Sequence, residues 1–324
     1  MKRILTKQKV GDMLLLYLYD ANRDRIGLSI VPESLKDEIT LEEDCDIESL
    51  VQLRLEGESH VRRYSHSAIL RNSIVARELR FKEQYIERDA GLKTIVTVLE
   101  NQKVKVYHKV RYYKDTKTIT MTSEIINKFI NPITIERISS FSICNWPMFG
   151  TREECNDKKL YRMRNKKSTK GKMQEETFKD LEDIEKDMEK NIEIESSWSR
   201  YGIQSICYGE GNVNSVKTYF PWGVIEDQKR GVCFGAMIAH SDFGKIDVYN
   251  KGNRCTVSGG LGNQEGAQWK KTLAKGESFV TPEAIITVAA SDVKSASNRL
   301  IQGLQELKGI EHFVIDANWY AKTV

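Results

Sequence analysis

Strict alternation of apolar and polar residues runs through much of the first 150 residues, and it constrains the fold more than any other feature. In "VKVYHKVRYY" Val104, Val106 and Val110 share one face, while lysines and an arginine occupy the other. The stretches "TITMTSEI" and "VQLRLE" repeat the pattern. Because successive side chains of a strand point to opposite faces, this alternation is typical of antiparallel strands with one face on a core. The sequence therefore predicts a mainly β fold, a large antiparallel sandwich.

The charge balance argues against a nucleic-acid-binding protein. The 324 residues include 50 Lys and Arg against 46 Asp and Glu, a formal net charge of +4. A basic field strong enough to hold a polyanion is not expected from so balanced a chain. We therefore predict no nucleic-acid partner.

Residues 151–195 carry a local excess of charge, first basic in "RMRNKKSTKGK" and then mostly acidic. In the acidic part Phe178, Leu181, Ile184 and Met188 recur at helical spacing. An amphipathic surface helix or a solvated loop is the favoured interpretation. A basic patch that binds nucleic acid is the alternative, and the acidic residues that follow at once weigh against it.

The N-terminal region and the cysteines indicate a cytoplasmic protein. The apolar run "MLLLYLY" (13–19) is too short for a membrane span and has no cleavage site after it, so we interpret it as a buried strand. No two of the six cysteines lie within four residues of each other, which excludes a CxxC pair. We expect free thiols in a reducing compartment and no membrane association.

Two further patterns complete the organisation of the chain. The glycine-rich "SGGLG" (258–262) lacks the Gly-Lys-Ser/Thr ending of a phosphate loop, and we expect a hairpin turn there. After Ser291 and Asp292, which can cap a helix, apolar residues recur at spacings of three and four up to Leu307. This predicts a helix that ends near Gly309.

Four blocks of the sequence resemble glycoside hydrolase family 36, the α-galactosidases or melibiases. The first is "YFPWGVIEDQKRGVCFGAMI" (219–238), and the second is "ERISSFSI" (136–143). The third, "QWKKTLAKGESFVTPEAII" (268–286), is similar to a family pattern Gly-Glu-x-Phe-x-Thr-Pro, with Lys275 where the family usually has proline. The final "GIEHFVIDANWYA" is similar to an early strand of the family's catalytic (β/α)₈ barrel, with Asn318 in place of a glycine.

The resemblance implies three parts. Residues 1–290 would form an N-terminal β-supersandwich domain, residues 291–308 a linker helix, and residues 309–324 one remnant strand of a truncated barrel. A complete barrel needs about 250 residues, so most of it is expected to be missing. By resemblance, Asp316 and Trp319 would be substrate-binding residues for an α-galactoside. The alternatives are a solvated carboxylate at Asp316 and a packing anchor at Trp319.

The resemblance assigns no catalytic residue to this chain. Family members are retaining enzymes that use two carboxylates about 5–5.5 Å apart, and both belong to later barrel strands. The histidines suggest no other chemistry, since His60 and His66 have no further ligands at metal spacing. His108 falls on the apolar face of its strand, so we expect a core histidine with a satisfied hydrogen bond. We expect neither a metal nor a cofactor.

Two functions remain open at this stage. The chain is a fragment of an α-galactosidase-like glycoside hydrolase that is inactive alone, or it is a non-catalytic β-sandwich module that binds carbohydrate or protein. In the second case Trp146, Trp198 and Trp222 are candidate stacking residues if they are exposed, although a Trp in such a domain is more often a core residue. The resemblance also implies self-association into a homo-oligomer through the β domain.

Overall fold

The computed structural model describes residues 1–42, 45–58, 73–149, 158–164, 173–177, 203–209, 219–239, 244–251, 254–262 and 269–307. Helices are few in these ranges. They are a 3₁₀ helix (Glu33–Glu38), α1 (Ile74–Glu78) and α2 (Val293–Glu306).

The first sheet has nine strands. They are β1 (Lys2–Val10), β2 (Met13–Asp20), β3 (Arg25–Pro32), β4 (Leu53–Leu55), β9 (Ile133–Trp146), β12 (Ile203–Gly209), β15 (Gly244–Lys251), β16 (Arg254–Gly262) and β17 (Lys271–Leu273). Their order is β1-β2-β3-β9-β16-β15-β12, and β4 and β17 also pair with β9. All these pairs are antiparallel except β3 with β9, which is parallel.

The second sheet has ten strands. They are β5 (Arg80–Asp89), β6 (Leu92–Glu100), β7 (Val104–Tyr113), β8 (Ile119–Asn127), β10 (Lys158–Arg164), β11 (Met173–Thr177), β13 (Tyr219–Asp227), β14 (Val232–Ile238), β18 (Ser278–Val280) and β19 (Ala284–Ala289). Their order is β11-β10-β13-β14-β19-β8-β7-β6-β5, with β18 on β8. The mainly β, antiparallel sandwich predicted from the alternation is confirmed.

The main core lies between the two sheets, where the apolar faces of their strands meet. On β7 the buried residues are Val104, Val106, His108 and Val110, and the residues between them are partly exposed. The buried run of β2 lies in the same core, as expected for "MLLLYLY". Period-two patterning thus assigned the faces of these strands correctly.

Helix α2 packs on the outer face of the second sheet. Asp292 caps its N-terminus, and the carboxylate accepts a hydrogen bond from the Ser295 N–H at 2.8 Å. Its apolar stripe covers β13, β14 and β19 and forms a second, smaller core. The members of this core from the sheet are Met163, Phe220, Trp222, Val224, Cys233, Met237 and Ile285; those from the helix are Ala296, Leu300, Ile301 and Leu304.

The hairpin turn expected at "SGGLG" is wrong, because these residues lie inside strand β16. The glycines are required there by close packing across the sheet rather than by a turn. A Cβ on Gly260 would lie 2.6 Å from the Ser139 Cα, and a Cβ on Gly259 would lie 2.9 Å from the Lys245 carbonyl oxygen. The register between β16 and β9 shifts at this point, so a bulge brings the two backbones together.

Several predictions fall on residues that the structure does not describe. The helical stripe that begins at Phe178 is one; the described pieces of 151–195 are strands β10 and β11, which pair antiparallel. The remnant barrel strand, 309–324, is another. None of the helices in the described ranges has the length and hydropathy that a membrane-spanning segment requires.

Candidate functional site

The substrate-binding residues implied by the resemblance, Asp316 and Trp319, lie outside the described residues. The same is true of His60, His66 and Trp198. The candidate site therefore has to be sought in the blocks that carry the resemblance and in the charged and aromatic groups around them.

Trp146 and Trp222 are core residues, as we expected more often for a Trp in such a domain, and the stacking alternative does not hold for them because both side chains are buried. Trp146 lies in the main core, where its ring centre is 5.9 Å from that of Phe234. Trp222 lies under helix α2 in the second core. Neither ring offers a face to a sugar. The sequence could not reveal this, since the layer that covers Trp222 comes from a helix far along the chain.

The Gly-Glu-x-Phe-x-Thr-Pro block builds a turn and a strand junction. Gly276 has φ +81°, a left-handed conformation that glycine adopts without strain. The Glu277 carboxylate accepts a hydrogen bond from the Ala274 N–H at 2.8 Å. The Thr281 Oγ1 accepts one from the Ser123 N–H at 2.9 Å, and the Thr281 N–H donates to the Ser123 carbonyl at 2.9 Å. These contacts fix β18 onto the end of β8.

Two aromatic residues of the same block pack against each other beside the turn. The rings of Trp269 and Phe279 have centres 5.7 Å apart and planes tilted by 50°. Both are partly buried and pack against the main core. The contacts of these residues all stabilise the turn and the sheet. The resemblance of this block to the family therefore concerns residues that build the fold.

The "ERISSFSI" block lies on β9 and contributes to a buried polar surface on the outer face of the first sheet. Two rows of paired residues cross β15, β16 and β9 there, Asp247–Ser258–Ser142 and Lys245–Gly260–Ser139. The side chains of Asp247, Ser258 and Ser142 are at most 1% exposed.

An ion pair between Arg137 and Asp247 is the centre of this surface. Arg137 is also 3.5 Å from the Ser258 Oγ. Both charged groups are buried, and the ion pair compensates part of the hydration that each of them loses. A retaining glycosidase needs two carboxylates about 5–5.5 Å apart, whereas this pair joins one carboxylate to one guanidinium. The pair therefore does not have the composition of such a catalytic pair.

A second buried cation, Arg162, lies between the sheets near their other edge. Its guanidinium is 4.1 Å from the centre of the Tyr219 ring and 5.2 Å from that of Tyr208, and it pairs with Glu176. The Tyr219 hydroxyl donates to the Gln174 Oε1 at 2.8 Å. Cation–π contacts of this kind gain strength away from water. The cluster ties β10 and β11 to β12 and β13.

His108 is a core histidine, as its position on the strand predicted, but the satisfied hydrogen bond expected for it is wrong, because neither ring nitrogen has a partner within hydrogen-bonding geometry among the described residues. It is fully buried, and desolvation lowers its pKa to about 4, although a backbone interaction with Ser140 opposes the shift. The ring is neutral near pH 7. The described residues hold no group of three or more His, Cys, Asp or Glu side chains placed to bind a metal ion.

The architecture defines a class of protein, large β-supersandwich domains with a helix packed on one outer face. Solved structures that align with this fold include glycoside hydrolase family 36 α-galactosidases. An α-galactosidase of Geobacillus stearothermophilus, AgaA, aligns over 92% of this chain with a TM-score of 0.60 and 12% identity. The galactosidase domain of an α-galactosidase–sucrose kinase aligns over 91% at 0.58 and 15%, and an α-galactosidase from Lactobacillus brevis over 93% at 0.58 and 11%.

These similarities establish the fold. The chain spans only 41–42% of the length of the three solved proteins. One further AgaA structure is a complex with stachyose, and another is a complex with raffinose. No family model matches the sequence, and no curated protein matches it.

Proposed function

We propose that this chain is the N-terminal β domain of an α-galactosidase-like glycoside hydrolase and has no hydrolytic activity by itself. The observation that carries the proposal is the coverage: 92% of this chain aligns with 42% of an α-galactosidase. The position of the resembling blocks supports it, because they fall on β9, on β13 and β14, and on the β17–β19 region, where they make the sheet contacts described above.

In this proposal the substrate class is α-galactosides, with Asp316 accepting hydrogen bonds from galactose hydroxyls and Trp319 stacking on the sugar ring. Both assignments rest on the resemblance. Titration of the 324-residue chain with galactose, followed by NMR, tests them. We expect weak binding that Asp316→Asn and Trp319→Ala both reduce, while Asp24→Asn, a change in a surface turn, leaves it unchanged. Binding that survives in both variants would contradict the assignment.

A homo-oligomer formed through the β domain and a cytoplasmic location are parts of the same proposal. Cys45, Cys144 and Cys233 are buried free thiols, which supports a reducing compartment. Sedimentation at several protein concentrations measures the oligomeric state. A single species of about 37 kDa at all concentrations would contradict self-association, given the chain mass of 37.2 kDa.

The alternative is a non-catalytic module that binds carbohydrate or protein. Trp146 and Trp222 are buried and cannot carry such a role. A module of this kind needs another exposed aromatic surface, and the outer face of the second sheet provides one.

A further inference from the structure

The outer face of the second sheet has a part that helix α2 leaves uncovered. The helix contacts β13, β14 and β19, and strands β5 to β8 continue the sheet beyond it. On this part of the face Tyr85 is 39% exposed and Val280 is 50% exposed. The register assigns the residues of β5–β8 and β18 that share this face.

Two rows of side chains cross this part of the sheet. One row is Tyr85–Val96–Lys109–Thr122 on β5, β6, β7 and β8. The neighbouring row is Glu83–Val98–Tyr107–Glu124–Val280, which ends on β18. Each residue pairs directly with the next in its row, so all of them point away from the main core.

Val96 and Val98, on β6, lie between Tyr85 on β5 and Tyr107 on β7. Val96 and Val98 are each 1% exposed although they face outward, because the longer side chains around them cover them. Tyr85 and Tyr107 lie on opposite sides of these valines. They are separated by two strand spacings across the sheet and by two residues along the strands. From strand spacings of about 4.8 Å and a rise of ~3.3 Å per residue, their Cα atoms are about 12 Å apart.

The ring of Tyr107 is held by a neighbour on its own strand. The Lys105 ammonium lies 4.9 Å from the centre of that ring. The pKa of Lys105 is raised, first by its side-chain hydrogen bond with Tyr107, which is consistent with this contact. A ring whose orientation is already fixed loses less conformational freedom when a ligand stacks on it.

Charged groups surround the tyrosines, and four of them form two ion pairs. Lys109 bonds to Glu124 at 2.8 Å, and Arg111 bonds to Glu283 at 2.8 Å. Each pair joins a basic to an acidic side chain, so these four residues give the face no strong field of one sign. This balance does not favour a polyanion such as nucleic acid, or a strongly charged partner.

We propose that this face, which we call the Tyr85–Tyr107 face, binds a neutral oligosaccharide. A sugar ring has an apolar face that can lie on an aromatic ring and hydroxyls that can bond to carboxylates, ammonium groups and phenol oxygens. The spacing of the two tyrosines suits an oligomer better than a single sugar. The core of a protein–protein interface is depleted in lysine and glutamate, whereas these residues are interleaved with the tyrosines here. The residues of this site are distant in sequence from Asp316 and Trp319. Binding at this site is independent of any hydrolytic activity.

NMR titration of the 324-residue chain with stachyose and with maltohexaose tests this site. We expect weak binding of at least one of the two, reduced about tenfold or more by the double change Tyr85→Ala and Tyr107→Ala. The double change to phenylalanine keeps the rings and should keep most of the affinity. Phe129→Ala serves as the matched control, because Phe129 is an aromatic residue of similar exposure, 38%, on the β8–β9 turn.

The binding should also persist in the Asp316→Asn/Trp319→Ala variant, which separates this site from the galactose site proposed above. Since the ligand is neutral, the affinity should change little between low and high salt. Failure of both probes to bind would overturn the proposal. So would equal binding by the alanine double variant, or a monomer–oligomer equilibrium that the same variant abolishes, because the face would then be a contact between copies of this chain.

Discussion

The rings of Trp269 and Phe279 pack with centres 5.7 Å apart across the turn that holds Gly276 and Glu277. Both residues belong to the block 268–286, whose resemblance to the α-galactosidase family is described above. The pair joins the segment before β17 to strand β18 and therefore closes the edge of the sandwich beside β8 and β9.

Phe279→Ala is expected to lower the free energy of unfolding by about 2 kcal/mol, less than for a fully buried ring because the pair is partly exposed. Glu277→Ala should lower it by about 1 kcal/mol, since the Ala274 N–H loses its acceptor. Urea unfolding of each variant measures these values. Phe129→Ala is the control, and a loss for Phe279→Ala no larger than for this control would contradict the packing role.

Gly260→Ala is expected to destabilise the protein severely, by about 3 kcal/mol or more, because the new methyl group overlaps backbone atoms of β9. The control is Gly262→Ala on the same strand, where the nearest atom is the flexible Arg137 Cγ at 3.3 Å. Thermal unfolding of the two variants gives the comparison. Equal melting temperatures would mean that the bulge between β16 and β9 does not require glycine.

Asp247→Asn is expected to cost about 3 kcal/mol of stability, because it leaves the Arg137 guanidinium buried opposite a neutral group. The double change Arg137→Met/Asp247→Leu removes both charges and should cost less than the single change. Chemical denaturation of the single and double variants tests this order. A double variant less stable than Asp247→Asn would contradict the view that an unpaired buried charge is the main cost.

His108 should make stability depend on pH. Its pKa is about 4 in the folded protein against an ordinary value of 6.5, so only the unfolded chain takes up the proton in between. The contribution is fully present above about pH 6.5 and is lost as pH falls toward 4, by about 3 kcal/mol in all.

The measurement is the free energy of unfolding of wild type and of His108→Leu at several pH values from 7.5 to about 4. The difference between the two proteins isolates this residue from the carboxylates that titrate in the same range. A difference that stays constant with pH would show that His108 is not a buried neutral group.

The alternation in the sequence predicted both the sheet class and the faces of the strands. For β7 it separated the buried valines from the partly exposed lysines. Successive side chains point to opposite faces, so a shift of one residue would have placed every side chain on the wrong face. The predicted helix cap at Asp292 also depends only on neighbouring residues, and the structure confirms it. Such features depend on neighbours in sequence, and a sequence displays them directly.

Features that depend on distant partners could not be predicted. "SGGLG" is typical of a turn until the backbone of β15 is known to approach Gly259 and that of β9 to approach Gly260. A stacking role for Trp222 stays an open alternative until α2 is known to cover it. The Arg137–Asp247 pair and the Tyr85–Tyr107 face arise only from strand register, which alternation alone does not define.

The central claim is that this chain has the β fold of an α-galactosidase without its hydrolytic activity. The most direct test is hydrolysis of a nitrophenyl α-galactoside by the pure 324-residue chain, beside a complete α-galactosidase as positive control and a nitrophenyl β-galactoside as substrate control. We predict no turnover above the rate in buffer. Turnover of the α-galactoside that increases in proportion to chain concentration would contradict the claim and would require catalytic carboxylates within this sequence.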